Sequence, residues 1–522
     1  MSSPTECPRL SAPVAALTGV LSVAAALGTG HLVAGVVSPP ASPFVAVGSA
    51  AIDLTPSWLK DFAVRAFGTH DKLVLLLGMA VVIGLAGVAA GLLSRRSRTP
   101  GLVLLVVLGA VAVTAVLSRP TAGPLDGLAP LAALIVGGWV FMALHRMGLA
   151  GRVPSAEGVP AADRAVAGVP RRGFLVGSTA VAVGAGLAGA GGQALSVRGD
   201  VETSRRAVGR IVADVRAPAI PAGADFAADG SPSFITPNQD FYRVDTNLIL
   251  PRLRAEDWRL RIHGMVDREI TLDWAALTSR PLVERTVTMT CVSNEVGGSY
   301  ISNANFTGVL VSDILADAGA RPGADQIFTR SVDGWTCGTP TADIADPARK
   351  AMLVIGMNSE PLPIEHGFPV RMLVPGLYGY VSGTKWIVDM ELTTFEAKQA
   401  YWLDRGWAQR APIKTMSRID SPGAFGQISP DSPLAGVAWA QTRGIEQVEA
   451  RIDHGAWRVA ELSTEVSPDT WRMWRLPGRL PPGPHVAQVR ATDKTGYTQT
   501  EDRAAPIPDG ASGWHSVQFT VR

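Results

Sequence analysis

The sequence predicts a chain of two unlike halves: an N-terminal α-helical membrane domain of five spans, then an outward α+β half that closes in a β-sandwich. Three observations predict it. Five uncharged apolar stretches fall within residues 1–196. Strand-like and helix-like runs mix without regular alternation over 233–412. Short strands of alternating apolar and polar residues recur over 413–522. At 522 residues the chain is too long for a single core. A mean hydropathy of +0.21 is high because it averages an apolar half with an ordinary globular one. The net charge of +2 gives no electrostatic reason to expect a nucleic-acid partner.

The five stretches are 12–37, 73–93, 101–118, 128–147 and 174–196. Basic residues set their orientation. Arg95, Arg96 and Arg98 lie between the second and third spans, and His145, Arg146, Arg152, Arg164, Arg171 and Arg172 between the fourth and fifth. This predicts a multi-pass protein of the cytoplasmic membrane, lipid-embedded, with its N-terminus and both basic loops in the cytoplasm and residues 197–522 outside. The fifth span begins Arg171-Arg172-Gly173-Phe174-Leu175, followed by a weakly apolar Gly/Ala run. That pattern resembles a twin-arginine export signal and predicts the twin-arginine machinery as a partner. Such a signal carries a domain across already folded around a cofactor. Pro170 and Val176 depart from the usual residues, and ordinary positive-inside flanking also supplies paired arginines. Ala188-Gly189-Ala190 could be cleaved, but four earlier spans favour retention as an anchor. The spans hold almost no charge apart from His31, so an ion path has little support.

Residues 197–232 are rich in Ala, Pro, Gly and Asp and read as a linker. Over 233–412, "WRLRIHGMV", "RTVTMT", "AMLVIGM" and "PVRMLVPG" read as strands, and "TLDWAAL" and "LVSDILADAGA" as helices. No phosphate-binding glycine fingerprint follows a strand. Over 413–522, "GVAWAQTRGIEQVEARIDHGAW", "DTWRMWRL" and "HVAQVRATDKTG" supply the strands of the sandwich.

Cys291 closes the strand-like run and opens the loop "CVSNEVGGSYISNANFTGV". The outward half has one other cysteine, Cys337. The residues alone leave three readings open: a disulfide between the two, an inert buried thiol, or a soft metal ligand. Small polar neighbours would let ligands approach the Cys291 sulfur. Downstream, "MNSEPLPIEHGFPVRMLVPGLYGYVSGTKWI" carries His366, Arg371 and Lys385 among tight turns, a donor set suited to a bound anion such as phosphate.

Taken together, "TPNQDFYRVDT" (236–246), "TCVSN" through "ISNANFTGV", "MNSEPLPIEHGFPVRMLVPG", "GTKWI" (383–387) and "SRIDSP" (417–422) resemble the sulfite-oxidase family of molybdopterin enzymes. The whole chain looks like the polytopic actinobacterial members. The resemblance implies an α+β molybdopterin domain over 233–412, an immunoglobulin-like domain over 413–522 that offers homodimerisation, and molybdenum with molybdopterin as the cofactor. It implies Cys291 as the molybdenum ligand and catalytic centre. It places Phe241, Tyr242, Arg243, Val244 and Asp245 along the pterin site, with His366 and Arg371 as pterin contacts. Gly383, Thr384 and Lys385 match the loop around the phosphate end, where backbone N–H groups and an ammonium favour an anion. A ligated Cys291 cannot pair with Cys337, which becomes a small buried residue near the site.

Sulfite-oxidising members usually continue from the cysteine as A-G-N-R-R. Here Asn294-Glu295-Val296 stands instead. The arginine that would face a sulfite dianion is absent, and Glu295, in the place preceding it, would repel one. Asn305-Phe306 stands where a tryptophan is common. The family's active-site tyrosine has no clear match after residue 400; by spacing Trp407 takes its place rather than Tyr401. The resemblance therefore implies an outward-facing oxidoreductase performing two-electron oxygen-atom transfer on a small-molecule or protein-borne S-oxide, or on a sulfur oxyanion. No haem-attachment or iron–sulfur cysteine pattern occurs, so electrons need a separate partner. The alternative is a non-enzymatic envelope scaffold that keeps the fold, which need not carry molybdenum.

Overall fold

The computed structural model describes residues 9–56, 59, 62, 66–67, 71–119, 122–150, 169–196 and 201–522. The basic-loop residues Arg152 and Arg164 and the third cysteine, Cys7, lie outside the described residues. The chain divides into two compact units, 1–199 with 246–249, and 200–245 with 250–522.

The first unit is helical: α1 Ala12–Val37, α2 Pro43–Leu54, α3 Asp71–Leu93, α4 Thr99–Leu117, α5 Leu128–Ala150 and α6 Val169–Ser196. All but α2 are long and apolar enough to cross a bilayer. Proline within the first turn of α1, α2 and α4 fits positions whose N–H has no intrahelical acceptor. Backbones approach closely at small residues: Gly19 meets Gly87, Gly28 meets Ala185, and Gly35 meets Gly192. His31 sits beside Ser42, Nδ1 to Oγ 3.2 Å. His145 Nε2 lies 2.8 Å from the Ser94 carbonyl.

The second unit opens with α7, Val201–Val208. Composition suggested a linker here, but Val201 is buried and Arg205 donates to the Pro361 and Leu362 carbonyls. Eight amphipathic residues are too short to stand out in a Pro/Gly-rich window. Two sheets follow. One has the order β2-β1-β10-β5-β6, built from β1 Arg259–Gly264, β2 Ile270–Asp273, β5 Gln326–Ser331, β6 Thr336–Pro340 and β10 Ile387–Thr393. The other runs β3-β4-β7-β8, with β9 also on β7: β3 Val283–Thr290, β4 Ile301–Leu310, β7 Met352–Met357, β8 Glu360–Pro361 and β9 Arg371–Leu373. Helices α8 Trp274–Thr278, α9 Val311–Ala318 and α10 Thr341–Ala345 sit among them.

Every residue of β7 is buried. Its Leu353 and Ile355 join the core shared with β1, β5 and β10, while Met352 and Val354 join a second core with Phe241, Phe306 and Phe368. A sheet covered on both faces reads as a continuous apolar run, as "MLVI" does. The β7–β8 hairpin turns on Asn358 and Ser359, both at positive φ, the demand of a two-residue type I′ turn. Asn358 Nδ2 also donates to the Thr236 carbonyl at 2.9 Å, which ties the "TPNQD" segment to this turn.

The C-terminal region is β-rich. One sheet has the order β11-β13-β17-β16, from β11 Met416–Ser421, β13 Leu434–Trp439, β16 Glu461–Leu462 and β17 Arg472–Leu476. The other has the order β12-β19-β18-β14-β15, from β12 Gln427–Ile428, β14 Ile445–Ile452, β15 Arg458–Val459, β18 Gly483–Asp493 and β19 His515–Val521. Ala438, Val448, Trp474, Val489 and Phe519 fill the space between the two sheets. The opposite face of the first sheet, with Val437, Trp439 and Met473, packs into the core of the preceding domain.

Trp258 is fully buried in that preceding core and its Nε1 donates to the Ile387 carbonyl at 2.7 Å. Trp258→Ala should cost about 3–5 kcal/mol from lost burial and a residual cavity. Chemical denaturation of the detergent-solubilised chain measures this; a loss below about 1 kcal/mol would contradict the packing described.

Candidate functional site

Strand β3 carries five consecutive buried residues and delivers Cys291 at its C-terminal end. The cysteine's N–H donates to the Tyr300 carbonyl at 3.0 Å, which closes a loop between β3 and β4. Within it Val292, Asn294 and Val296 are buried, and Ser293 and Glu295 face out. Asn294 is the loop's internal brace: its N–H donates to the Cys291 carbonyl at 3.1 Å and its Oδ1 accepts from Tyr300 N at 2.8 Å. Cys291 is half-buried, and its Sγ takes a contact from Ser293 N at 3.4 Å. Burial raises the thiol above its ordinary pKa, while the Ser293 N–H and Lys385 oppose the rise. Cys291 and Cys337 are both free thiols. Cys337 is fully buried on β6, beside Thr339 and Thr384.

The "HGFPVR" segment brings Arg371 to the start of β9 with only 4% of its surface exposed. Its hydrogen bonds go to backbone carbonyls, Met372 O and His366 O, each at 3.4 Å. Among the described residues no carboxylate lies within ion-pair distance of it. Burial pulls its pKa down to about 10. His366 is buried as well, and burial with Lys385 and Arg371 nearby holds it down to about 3, so it is neutral at physiological pH. Lys385 Nζ donates to the Glu365 carbonyl at 2.8 Å and lies 3.8 Å from Asp245 Oδ2. Arg243 Nε pairs with the same Asp245 oxygen at 2.7 Å.

Arg243 and Lys385 share one carboxylate, Asp245, and Arg371 and Lys385 both come up against Gly367. That leaves a local charge of +2 by these groups, a match for a dianionic phosphate. At Gly383 a Cβ would lie 2.9 Å from the Gly379 carbonyl and 3.2 Å from Arg371 Nη2. Only glycine lets the backbone come this close to the guanidinium. A soft thiol and a buried, acid-free guanidinium fit a group with an anionic end and a metal.

Most of the residues singled out in the sequence converge. Phe241 stacks on Tyr242 at 5.4 Å and meets His366 at 5.3 Å and Phe306 at 6.0 Å. Burial pushes the Tyr242 hydroxyl well above its ordinary value, with Cys291 adding and Arg371 opposing. Two side chains depart from the set. Val244 is 42% exposed. The Thr384 hydroxyl turns into the core against Thr329 Oγ1 at 2.6 Å, leaving only its backbone for a ligand. Trp407 packs with Tyr380 and Trp402 at 5.5 and 6.0 Å.

Sequence reasoning missed Tyr378. It is 3% exposed, and burial pushes its hydroxyl up strongly, with Cys291 contributing. Sequence reasoning also missed the C-terminal region's grip on the cysteine loop. Arg418 Nη1 donates to the Gly298 carbonyl at 2.8 Å. The His515 ring lies against Gly297, where a Cβ would sit 2.2 Å from Nε2. No local signal marks these pairs, which are far apart in the chain.

The family model described as "Oxidoreductase molybdopterin binding domain" matches residues 247–402. Mitochondrial sulfite oxidase of Homo sapiens is 28% identical over 342 residues, covering 55% of this chain and 62% of that protein. The chain therefore spans less than two thirds of that protein's length. The oxidoreductase YuiH of Bacillus subtilis (strain 168) is 31% identical over 153 residues, 29% of this chain and 73% of that protein. The sulfane dehydrogenase SoxCD from Paracoccus pantotrophus is similar in structure at 20% identity and a TM-score of 0.48, covering 61% of this chain and 91% of that one.

Burial, with Arg418 and Arg503 adding, holds His515 down to about 4. The unfolded chain takes up this proton near pH 6.5, and the folded chain refuses it until about pH 4. The side chain's contribution to stability is complete above pH 6.5 and is lost as pH falls through about 4. His515→Asn keeps an acceptor for Ile419 N, which now donates to Nδ1 at 3.0 Å. It should flatten the fall of Tm between pH 6.5 and 4; an unchanged slope would contradict the assignment.

Proposed function

Because the chain belongs to the sulfite-oxidase family of molybdopterin-dependent oxidoreductases, whose cofactor is molybdenum with molybdopterin, we propose that it is a membrane-anchored, outward-facing enzyme of two-electron oxygen-atom transfer with Cys291 as its molybdenum ligand. The observation that carries this reading is a half-buried free thiol at the end of β3 in the same domain as the buried Arg371, which has no carboxylate within ion-pair distance among the described residues. The bound group supplies the redox chemistry and the oxygen-atom transfer. The chain's own residues hold and orient it. Cys291 offers its thiolate. Arg371, Lys385 and Arg243 offset the phosphate charge. The backbone at Gly383 and Thr384 approaches that end, and Phe241 and Tyr242 close the apolar side against His366. Tyr242 and Tyr378 stay protonated throughout the physiological range, so their hydroxyls remain neutral hydrogen-bonding groups.

The substrate is an S-oxide, small or protein-borne, or a sulfur oxyanion. Glu295 is exposed where sulfite-oxidising members carry arginine, which favours the uncharged class. In S-oxide reduction the S–O bond breaks, and the oxygen leaves as water after uptake of two electrons and two protons. A separate electron-transfer protein or membrane component supplies the electrons. Five apolar helices support anchoring in the cytoplasmic membrane, and Arg171-Arg172 at the start of α6 supports export by the twin-arginine machinery. The two sheets of 413–522 around one core support an immunoglobulin-like domain able to pair two copies.

Elemental analysis of the protein from its own membranes tests the reading, with about one molybdenum per chain expected. Cys291→Ser should lose the metal and keep the melting behaviour of the fold. Arg371→Met, which keeps the buried volume and removes the charge, should cut cofactor retention at least tenfold. Stoichiometric molybdenum in Cys291→Ser would sink the ligand assignment, and a metal-free native protein would favour the scaffold reading.

A further inference from the structure

A second group of metal-binding side chains lies away from the cysteine loop. Strands β1 and β10 run parallel, and their register sets His263 opposite Glu391 and Arg261 opposite Asp389. Leu260, Ile262, Met390 and Leu392 alternate with these residues and are buried in the core. Successive side chains of a strand point to opposite faces, so His263, Asp389 and Glu391 share the outer face of the sheet. Their ligand atoms lie within 4.8 Å of one another, the one such group of three among the described residues. The three side chains are 16%, 12% and 17% exposed, open enough for an ion to enter from solvent and closed enough to shield it.

Hydrogen bonding accounts poorly for this arrangement. His263 Nε2 lies 3.3 Å from Asp389 Oδ1 and 3.2 Å from Oδ2. A good bond to a carboxylate is shorter, as His485 Nδ1 shows with Asp453 Oδ2 at 2.7 Å. Two ligands of one tetrahedral zinc, each about 2.0–2.1 Å from it, stand roughly 3.3 Å apart. The spacing of His263 and Asp389 is that of two donors around one ion. The competing cations are displaceable. Arg330 Nη2 meets Asp389 Oδ2 at 3.4 Å and is 40% exposed. Lys398 pairs with Glu391 and is equally exposed; it also lies over the Phe328 ring at 5.3 Å, a seat it keeps when Glu391 turns away. Exposed ion pairs of this kind contribute little. Arg261 is engaged by Glu269 at 2.8 Å.

We propose that His263, Asp389 and Glu391 bind one divalent cation of the zinc type on the outer face of this sheet, through His263 Nε2 and one oxygen of each carboxylate, with water as the fourth ligand. An imidazole with two carboxylates suits zinc, whereas calcium and magnesium prefer oxygen donors alone. The two carboxylates neutralise the ion, and Arg330 and Lys398 turn to solvent. The ion ties β1 to β10 just beyond the loop that carries Gly383, Thr384 and Lys385, and so braces that loop from behind. None of its ligands belongs to the cysteine loop or the "HGFPVR" segment, so the site is independent of the reading of Cys291.

The test titrates zinc chloride into the chelator-treated, full-length chain in detergent, reading binding by calorimetry and Tm by thermal unfolding. Wild type should bind one zinc with micromolar affinity and melt higher when zinc is present. His263→Asn and Asp389→Asn should each weaken that binding at least about tenfold. Lys398→Met gives the opposite sign and guards against a mere loss of fold. It removes the cation that competes for Glu391 and should tighten zinc binding about threefold, the strength of one exposed ion pair. No zinc binding by wild type would overturn the proposal. Unchanged affinity in both His263→Asn and Asp389→Asn would put the ion elsewhere and overturn it too, as would unchanged or weaker binding by Lys398→Met. Molybdenum content of the same preparations reads the Cys291 assignment separately.

Discussion

A guanidinium buried with no carboxylate in ion-pair reach among the described residues is the constraint around which the rest of the site is arranged. Removing a charge from water costs several kcal/mol unless it is compensated. Among the described residues Arg371 has two long backbone contacts to offset that cost. His366 avoids worsening the balance by staying neutral. Such a cluster is stable in isolation only because the surrounding sheets over-determine it, and an anion in reach of Arg371 and Lys385 would release the stored cost. A ligand that binds the folded state alone stabilises it in proportion to its affinity. On the proposed reading, cofactor capture and stability of this domain would be coupled through Arg371.

The second organising feature is the clamp on β3. Thr288 meets the C-terminal region at three atoms: its N–H donates to the Asp469 carbonyl at 2.9 Å, its Oγ1 accepts from Trp471 N at 2.7 Å, and its carbonyl accepts from Gln441. Arg285 on the same strand pairs with Asp469 at 2.6 Å, both largely buried. Two residues beyond this node the chain reaches Thr290, and then Cys291. A functional thiol needs a rigid base, and a strand held by two domains is more rigid than either domain's own loops. The β-rich C-terminal region is therefore part of the site's architecture, whatever it does as a surface for partners.

How much of this was legible in the sequence depends on chain separation. His366, Arg371, Gly383 and Lys385 lie within one 20-residue run dense in Pro and Gly, so their convergence could be read from a single contiguous motif. The strands at 259–264, 283–290 and 352–357 announced themselves by β-branched and apolar runs. Tyr378 lay in plain view inside the same motif, but its proximity to Cys291 depends on how β3 and β9 enter one domain, which no local pattern encodes. Arg418 with Gly298 and Gln441 with Thr288 are 120 and 153 residues apart. Contacts at that distance follow from tertiary packing, and a lone Gln or Arg in a β-rich stretch reads as an ordinary surface residue. The helix at 201–208 was hidden for the opposite reason, since its signal is local but shorter than the Pro/Gly-rich background around it.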